Sequence, residues 1–498
     1  MKFFKYKTSF TLPALCISLL MSSSLSANTY WVSPSGSNDN NCEAATTPCQ
    51  TIDHAATKAI SPGDIVNIME GTYYETTGGH VWNTGSNEVG IKIRGSGTQD
   101  KPITFQAAPG DEGKAIIDQN GENDEQQRRI AFNIDRQDYI VIKNLHMRDC
   151  YTACVLNIGT RAVPINTSGL SIGVQILNNY IHHIDGQKNG TNPAGIRFDG
   201  SMDWVIRNNE IGWVAANLAG TTGYRDANAA AIKAYVAVNT TVENNLFYEA
   251  GDGIHWKDHT EGPDGALLNG SSIKYNIIRN VGTGVYITTG DGSGKAGNHT
   301  ISNNIFHDMN HGISFYYPPL GSANSNIENN IFDNTNPAIL SAKYEKISTS
   351  GNIFYDSEAY RLFHNTSITS ILDKSDHNIF SGGVDIRADW NGGTSYKQYN
   401  ALSTWQGISS ETHKTVSVNS PDTNSLTVSE ASLLFKDIST KNYKHSAGSP
   451  ALGILPDGSN AGPYQNGDET IGLLAGYAEY STPESKALPP SGLSAVIN

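Results

Sequence analysis

An all-β chain wound as a right-handed parallel β-helix, with a short N-terminal capping helix, is the fold this sequence predicts. Three observations predict it: an Asn–x–apolar pattern that recurs along the chain, short strands of alternating character after each recurrence, and an apolar stretch of helical spacing ahead of the first coil. The recurrences are Asn144 in IKNLHM, Asn179 in LNNYIH, Asn209 in RNNEIG, Asn245 in ENNLFY, Asn276 in KYNIIR, Asn304 in SNNIFH, Asn330 in ENNIFD, Asn352 in SGNIFY and Asn378 in DHNIFS. They stand 35, 30, 36, 31, 28, 26, 22 and 26 residues apart, a period that marks a solenoid. The Leu-x-x-Leu-x-Leu frame of leucine-rich repeats is absent, and Gly, Asn and β-branched residues stand where helical repeats need helix formers. In a β-helix each coil adds two or three short strands, and asparagines at the bends stack in ladders through their amides. Asn also tolerates left-handed backbone angles, which suits a tight corner. Unequal coil lengths place insertions at a corner, where loops wall a binding groove.

The elements follow in order. Lys2, Lys5 and Lys7 precede an apolar run, and small residues follow at Ser24–Ala27, so residues 1–27 read as a signal peptide that directs secretion. No later segment approaches ~18 uninterrupted apolar residues, so no stable membrane anchor is expected. Four cysteines remain in the mature chain, and the simplest pairing in an exported protein is Cys42–Cys49 and Cys150–Cys154. QTIDHAATKA places Ile52, Ala55, Ala56 and Ala59 at helical spacing, which can cap the open apolar end of a coil stack. The β-helix is expected over residues 28–475, as one elongated domain and a monomer, and residues 476–498 read as a tail.

Composition narrows the function. Charged residues make up 16% of the chain and the net charge is −14, which offers no basic stripe for a duplex nucleic acid. An acidic protein can still bind a polyanion through a local cationic patch or a bridging metal. The strands after the bends supply such a patch. They read GIRFDG (195–200), AIKAYV (231–236), GIHWKD (253–258), GVYITT (284–289) and GISFYY (312–317). Alternation sends Ile196, Ile232, Ile254, Val285 and Ile313 inward. It leaves two outward columns, Arg197–Lys233–His255–Tyr286–Ser314 and Asp199–Tyr235–Lys257–Thr288–Tyr316. Stacked strands lie ~4.8 Å apart, so the columns form one patch, cationic in its middle coils and aromatic beyond. Trp256 points inward.

Just upstream, YRDANAAAIKAY sets Asp226 seven and Asn228 five residues before Lys233. Here the chain resembles the chondroitinase-B and alginate-lyase family of polysaccharide lyases, solenoids of the pectate-lyase kind. The resemblance implies a catalytic lysine at Lys233, a second catalytic group at Lys257, and calcium ligands at Asp226, Asn228 and Asp199. Asn228 stands where the family has an acid and Lys257 where it has arginine, not a neutral exchange at a bidentate site. The stretch opening at Trp31 and the segment SPALGILPDGSNAGPY (449–464) resemble the opening and close of exported bacterial β-helix proteins. PPSGLSAVIN resembles the first strand of a fibronectin-type module and is assigned no function.

These residue types suit β-elimination on an acidic polysaccharide. A base removes the proton beside the uronate carboxylate and the sugar at O4 leaves, provided that a cation neutralises the carboxylate. Ca²⁺ on Asp199, Asp226 and Asn228 would do so, as would Arg197. Lys233, beside Arg197, His255 and Lys257, has like-charged neighbours that favour its neutral form as general base. Lys257, His255 or Tyr235 could protonate the leaving oxygen, while Tyr286 and Tyr316 offer flat surfaces to sugar rings. Two other functions stay open. A glycoside hydrolase would need two carboxylates at ~5–5.5 or ~6.5–9.5 Å, drawn from Asp199, Asp252 and Asp258; a non-catalytic carbohydrate-binding β-helix would need neither.

Overall fold

Eight successive coils turn on a buried asparagine. Asn209 Oδ1 accepts both the backbone N–H and the side-chain N–H of Asn179, and the same double bond links Asn209 to Asn245 and onward through Asn276, Asn304, Asn330, Asn352 and Asn378, at 2.9–3.1 Å throughout. All eight are fully buried; the remaining amide hydrogens of the first seven reach strand carbonyls such as Ile206 O, while the Asn378 amide reaches the Asp422 carboxylate and neighbouring hydroxyls. Such a ladder satisfies buried polar atoms that a bend would otherwise leave unpaired. The expected column holds with one correction. Asn144 belongs to the residues just before the bend, where Asn144, Asn178, Asn208, Asn244, Tyr275, Asn303 and Asn329 take left-handed φ of 55 to 63°. Asn144 Oδ1 accepts from the Asn178 amide, and Leu145 occupies the inner place. The left-handed residue and the ladder residue are thus neighbours, and the Asn-Asn pairs of the sequence supply both.

The structure, a computed structural model, describes residues 27–75, 78–82, 86–120, 127–159, 169–184, 192–215, 228–257, 270–288, 297–316, 324–342, 346–363, 371–389, 396–409, 419–467 and 469–474. The expected signal peptide before residue 27 and the expected tail 476–498 lie outside them. The chain is a right-handed parallel β-helix. One face is a 12-stranded parallel sheet running from Thr29–Val32 to Leu372–Asp376; a 24-stranded sheet forms the second and third faces. Helix α1, Ile52–Ala56, lies at the N-terminal end with Ile52, Ala55, Ala56 and Ala59 fully buried, as capping requires. Both expected disulfides, Cys42–Cys49 and Cys150–Cys154, are present. Among the described residues no helix is long and apolar enough to cross a membrane.

Inside, like residues stack on like. Phe306, Phe332, Phe354 and Phe380 stack at 5.0, 5.3 and 5.4 Å between centroids. Outside, on the second face, Ile305, Ile331, Ile353 and Ile379 form an apolar column covered by residues from Val428 to Ile471, which double back along the stack. Leu474 N–H reaches Asn208 Oδ1 at 2.7 Å. Among the described residues the strap packs on the second face, and the third face carries the polar columns. Its strands are β1 (Ala194–Met202), β2 (Ala230–Val238), β3 (Leu246–Lys257), β4 (Ile277–Thr288) and β5 (His311–Tyr316).

Candidate functional site

Parallel register brings the columns together in the expected order. Arg197 pairs with Lys233, Lys233 with His255, His255 with Tyr286 and Tyr286 with Ser314. Beside them Asp199 pairs with Tyr235, Tyr235 with Lys257, Lys257 with Thr288 and Thr288 with Tyr316. Ile196, Ile232, Ile254, Val285, Ile313 and Trp256 are fully buried on the inner side. A slip of one residue would exchange the two sets, and the inward isoleucines prevent it.

Outward side chains on this face are largely buried. Lys233 and Asp199 are 0% exposed, His255 2%, Arg197 5% and Tyr235 9%, whereas Tyr316 is 38% exposed. Lys257 and Tyr286 are half-buried. Tyr235 lies between two cations, with Arg197 Cζ 5.5 Å and Lys257 Nζ 5.1 Å from its ring centre. The His255 and Tyr286 rings meet at 4.8 Å, and Tyr286 and Tyr316 at 6.2 Å. Burying cations this way is costly unless they are paired. Lys233 Nζ donates to the Asn228 carbonyl at 2.8 Å, and Arg197 Nε stands 3.9 Å from Asp199 Oδ1.

Two of the three expected calcium ligands, Asp199 and Asn228, lie among the described residues. Asp226 lies outside the described residues, the Asp199 carboxylate faces Arg197, and the backbone carbonyl of Asn228, not its side chain, accepts from Lys233 Nζ. Among the described residues, Cys42, Cys49 and His54 are close enough to share an ion, but the two sulfurs are joined to each other.

One partner of the site is hidden from sequence reasoning. Asp252 Oδ2 lies 2.7 Å from His255 Nδ1, both side chains being buried. Alternation along β3 puts Asp252 on the side of Ile254, away from His255. The strand runs through the corner between the second and third faces, and the two residues meet there. Gly253 between them makes this possible, since a Cβ at that position would stand 2.6 Å from the Gly284 carbonyl oxygen. The useful signal was the small residue inside a polar strand. Among the described residues His255 Nε2 is buried with no hydrogen-bond partner. Burial, then the charges of Lys233 and Lys257, hold the imidazole well below its ordinary pKa. Asp252 does not pair with Asp199 as a hydrolase would need. Its strand position is five residues back from Lys257, the register mate of Asp199 through Tyr235, which is ~16 Å along the strand and two spacings across. Asp258 lies outside the described residues.

Among solved structures, a rhamnogalacturonan lyase aligns over 91% of this chain and 98% of its own at 14% identity and a TM-score of 0.46. Pectate lyase Pel9A aligns over 89% and 97% at 15% identity and 0.45. A tailspike protein of an E. coli bacteriophage aligns over 72% and 66% at 11% identity and 0.49. No protein-family model and no curated protein matches the chain.

Proposed function

We propose that this chain is a secreted polysaccharide lyase that cleaves a uronic-acid-containing polymer, of alginate, glycosaminoglycan or pectate type, by β-elimination on the third face. The observation that supports it is the register that sets Arg197, Lys233 and His255 on successive strands beside Tyr235 and Lys257. Arg197 and Lys233 supply the positive charge that a uronate carboxylate needs if its neighbouring C–H is to lose a proton, and the low-polarity setting strengthens that attraction. Proton removal falls to the Lys233–His255 pair. Lys257, half-buried, returns a proton to the leaving O4. Tyr286 and Tyr316 continue the columns as ring surfaces on which the flanking sugars stack. No step is routed through calcium.

The test is a panel of alginate, chondroitin and dermatan sulfates, and pectate, monitored for ultraviolet-absorbing products. Unsaturated ends from one polymer support the reading. New reducing ends without ultraviolet absorbance would point to hydrolysis, and binding without product to a non-catalytic carbohydrate surface.

A further inference from the structure

We infer that Asp252 is a positioning residue that fixes His255 with Nδ1–H on the carboxylate and Nε2 as the base that takes the sugar proton, in place of Lys233. The inference rests on the elimination reading and assigns the roles within it.

Three observations carry it. A carboxylate only accepts, so the 2.7 Å contact with Asp252 Oδ2 puts the imidazole hydrogen on Nδ1. In the neutral ring Nε2 then holds a lone pair. That atom lies on the far side of the ring from Asp252, buried and without a hydrogen-bond partner among the described residues, an arrangement that folding alone does not favour. Lys233, in contrast, has Nζ committed to the Asn228 carbonyl, a bond that is stronger for the charged amine. This suits Lys233 to holding the substrate carboxylate. The groups facing His255 are Lys233 on β2, Tyr286 on β4, and Asp252 and Lys257 on its own strand. The two lysines oppose a second positive charge on the ring, and burial acts in the same direction.

The step balances without a co-reactant. The Nε2 lone pair takes the proton from C5 of the uronate, and the C5–H pair becomes the C4–C5 double bond. The C4–O4 bond breaks, and its pair on O4 takes a proton from the Lys257 ammonium. The imidazolium then returns its proton to Lys257 through solvent.

Two measurements test this. Heteronuclear NMR of the His255 ring nitrogens in the parent protein should show the Nδ1–H form at neutral pH. In assays on the polymer that the panel selects, His255→Gln should lower kcat by ~10²–10⁴-fold and Asp252→Ala by at least about tenfold, with KM within about twofold. Asp252→Glu should restore part of kcat. Asp252→Ala should also move the acid limb of the kcat profile to lower pH, because the carboxylate favours the imidazolium. The Nε2–H form in the parent overturns the inference whatever the variants do, including a variant that fails to fold. Asp252→Ala with the parent kcat and pH profile overturns it too, while leaving the elimination reading intact. If no polymer yields unsaturated ends, the elimination reading falls and the base assignment with it.

Discussion

Lys233 shows how far a residue's surroundings change what its substitution tests. It stands on an outward column, yet the side chain is fully buried and bonded to Asn228 O. Removing it opens a cavity and leaves a carbonyl unpaired, so Lys233→Ala should cost roughly 2–5 kcal/mol of stability as well as turnover. Lys233→Met separates the two effects: it keeps the stem, should melt closer to the parent, and should still abolish turnover because the charge is gone. A Lys233→Met protein that turns over at the parent rate would remove Lys233 from the chemistry. Lys257 is the opposite case. Half-buried and held over Tyr235, it can be changed at little cost to the fold. Lys257→Ala should therefore lose activity steeply with a nearly unchanged melt, and Lys257→Arg should keep part of the rate by keeping the charge. Equal rates in all three forms would show that the proton for O4 comes from elsewhere.

Elements are held by columns. Asn276 accepts from Asn245, donates to Asn304, and donates to the carbonyls of Val242 and Lys274. Asn276→Ala strands several buried groups at once, at about 1–3 kcal/mol each, so urea denaturation should show a loss above 3 kcal/mol; a loss under about 1 kcal/mol would mean that the coil closes without the ladder. A second column shapes the pH dependence. On the second face His146 Nε2 and His182 Nε2 meet at 2.6 Å, and His183 lies against His182 Nδ1. Burial, then the nearby Arg148, brings His146 down to about 4; burial, then the charges of His146 and His183, brings His182 down to about 2. Both folded values lie below the unfolded value near 6.5, so the unfolded chain binds more protons through this window. Stability contributed by these groups is therefore complete above pH 6.5 and falls as the pH drops, by roughly 3 kcal/mol for each histidine by pH 4. Denaturation curves from pH 7 to about 4 should steepen in this sense, and the pair His146→Gln with His182→Gln should flatten them. An unchanged slope in the double variant would assign the acid loss to other groups.

At the scale of the whole molecule, the returning C-terminal segment decides which face is covered. Ile305, Ile331, Ile353 and Ile379 need covering, and residues from Val428 to Ile471 cover them. The strap is fastened at Asp333, whose carboxylate accepts from Lys441 Nζ at 2.8 Å and Tyr443 OH at 2.6 Å. Asp333→Ala leaves both donors without this acceptor, at about 2–3 kcal/mol, and should loosen the strap. Limited proteolysis should then cut between residues 426 and 474 faster than in the parent, while activity on the third face persists until cleavage. Loss of activity at the same rate as cleavage would show that the strap also supports the site.

The sequence by itself determined the winding of this protein and the register of its site. The inner asparagines from Asn179 to Asn378 and the inward residues Ile196, Ile232, Ile254, Val285 and Ile313 repeat with each coil, and parallel pairing turns a repeat in sequence into a column in space. Arg197, Lys233 and His255, with Tyr235 and Lys257, could therefore be read as one patch before any coordinate. Tertiary structure alone decided how deeply that patch is buried, which oxygens its cations claim, and that Asp252 reaches His255 around a corner that strand alternation does not describe. Periodicity records the order of side chains along a strand, whereas burial and the bend at Gly253 depend on what neighbouring coils bring against it, and that information is spread over residues far apart in the chain.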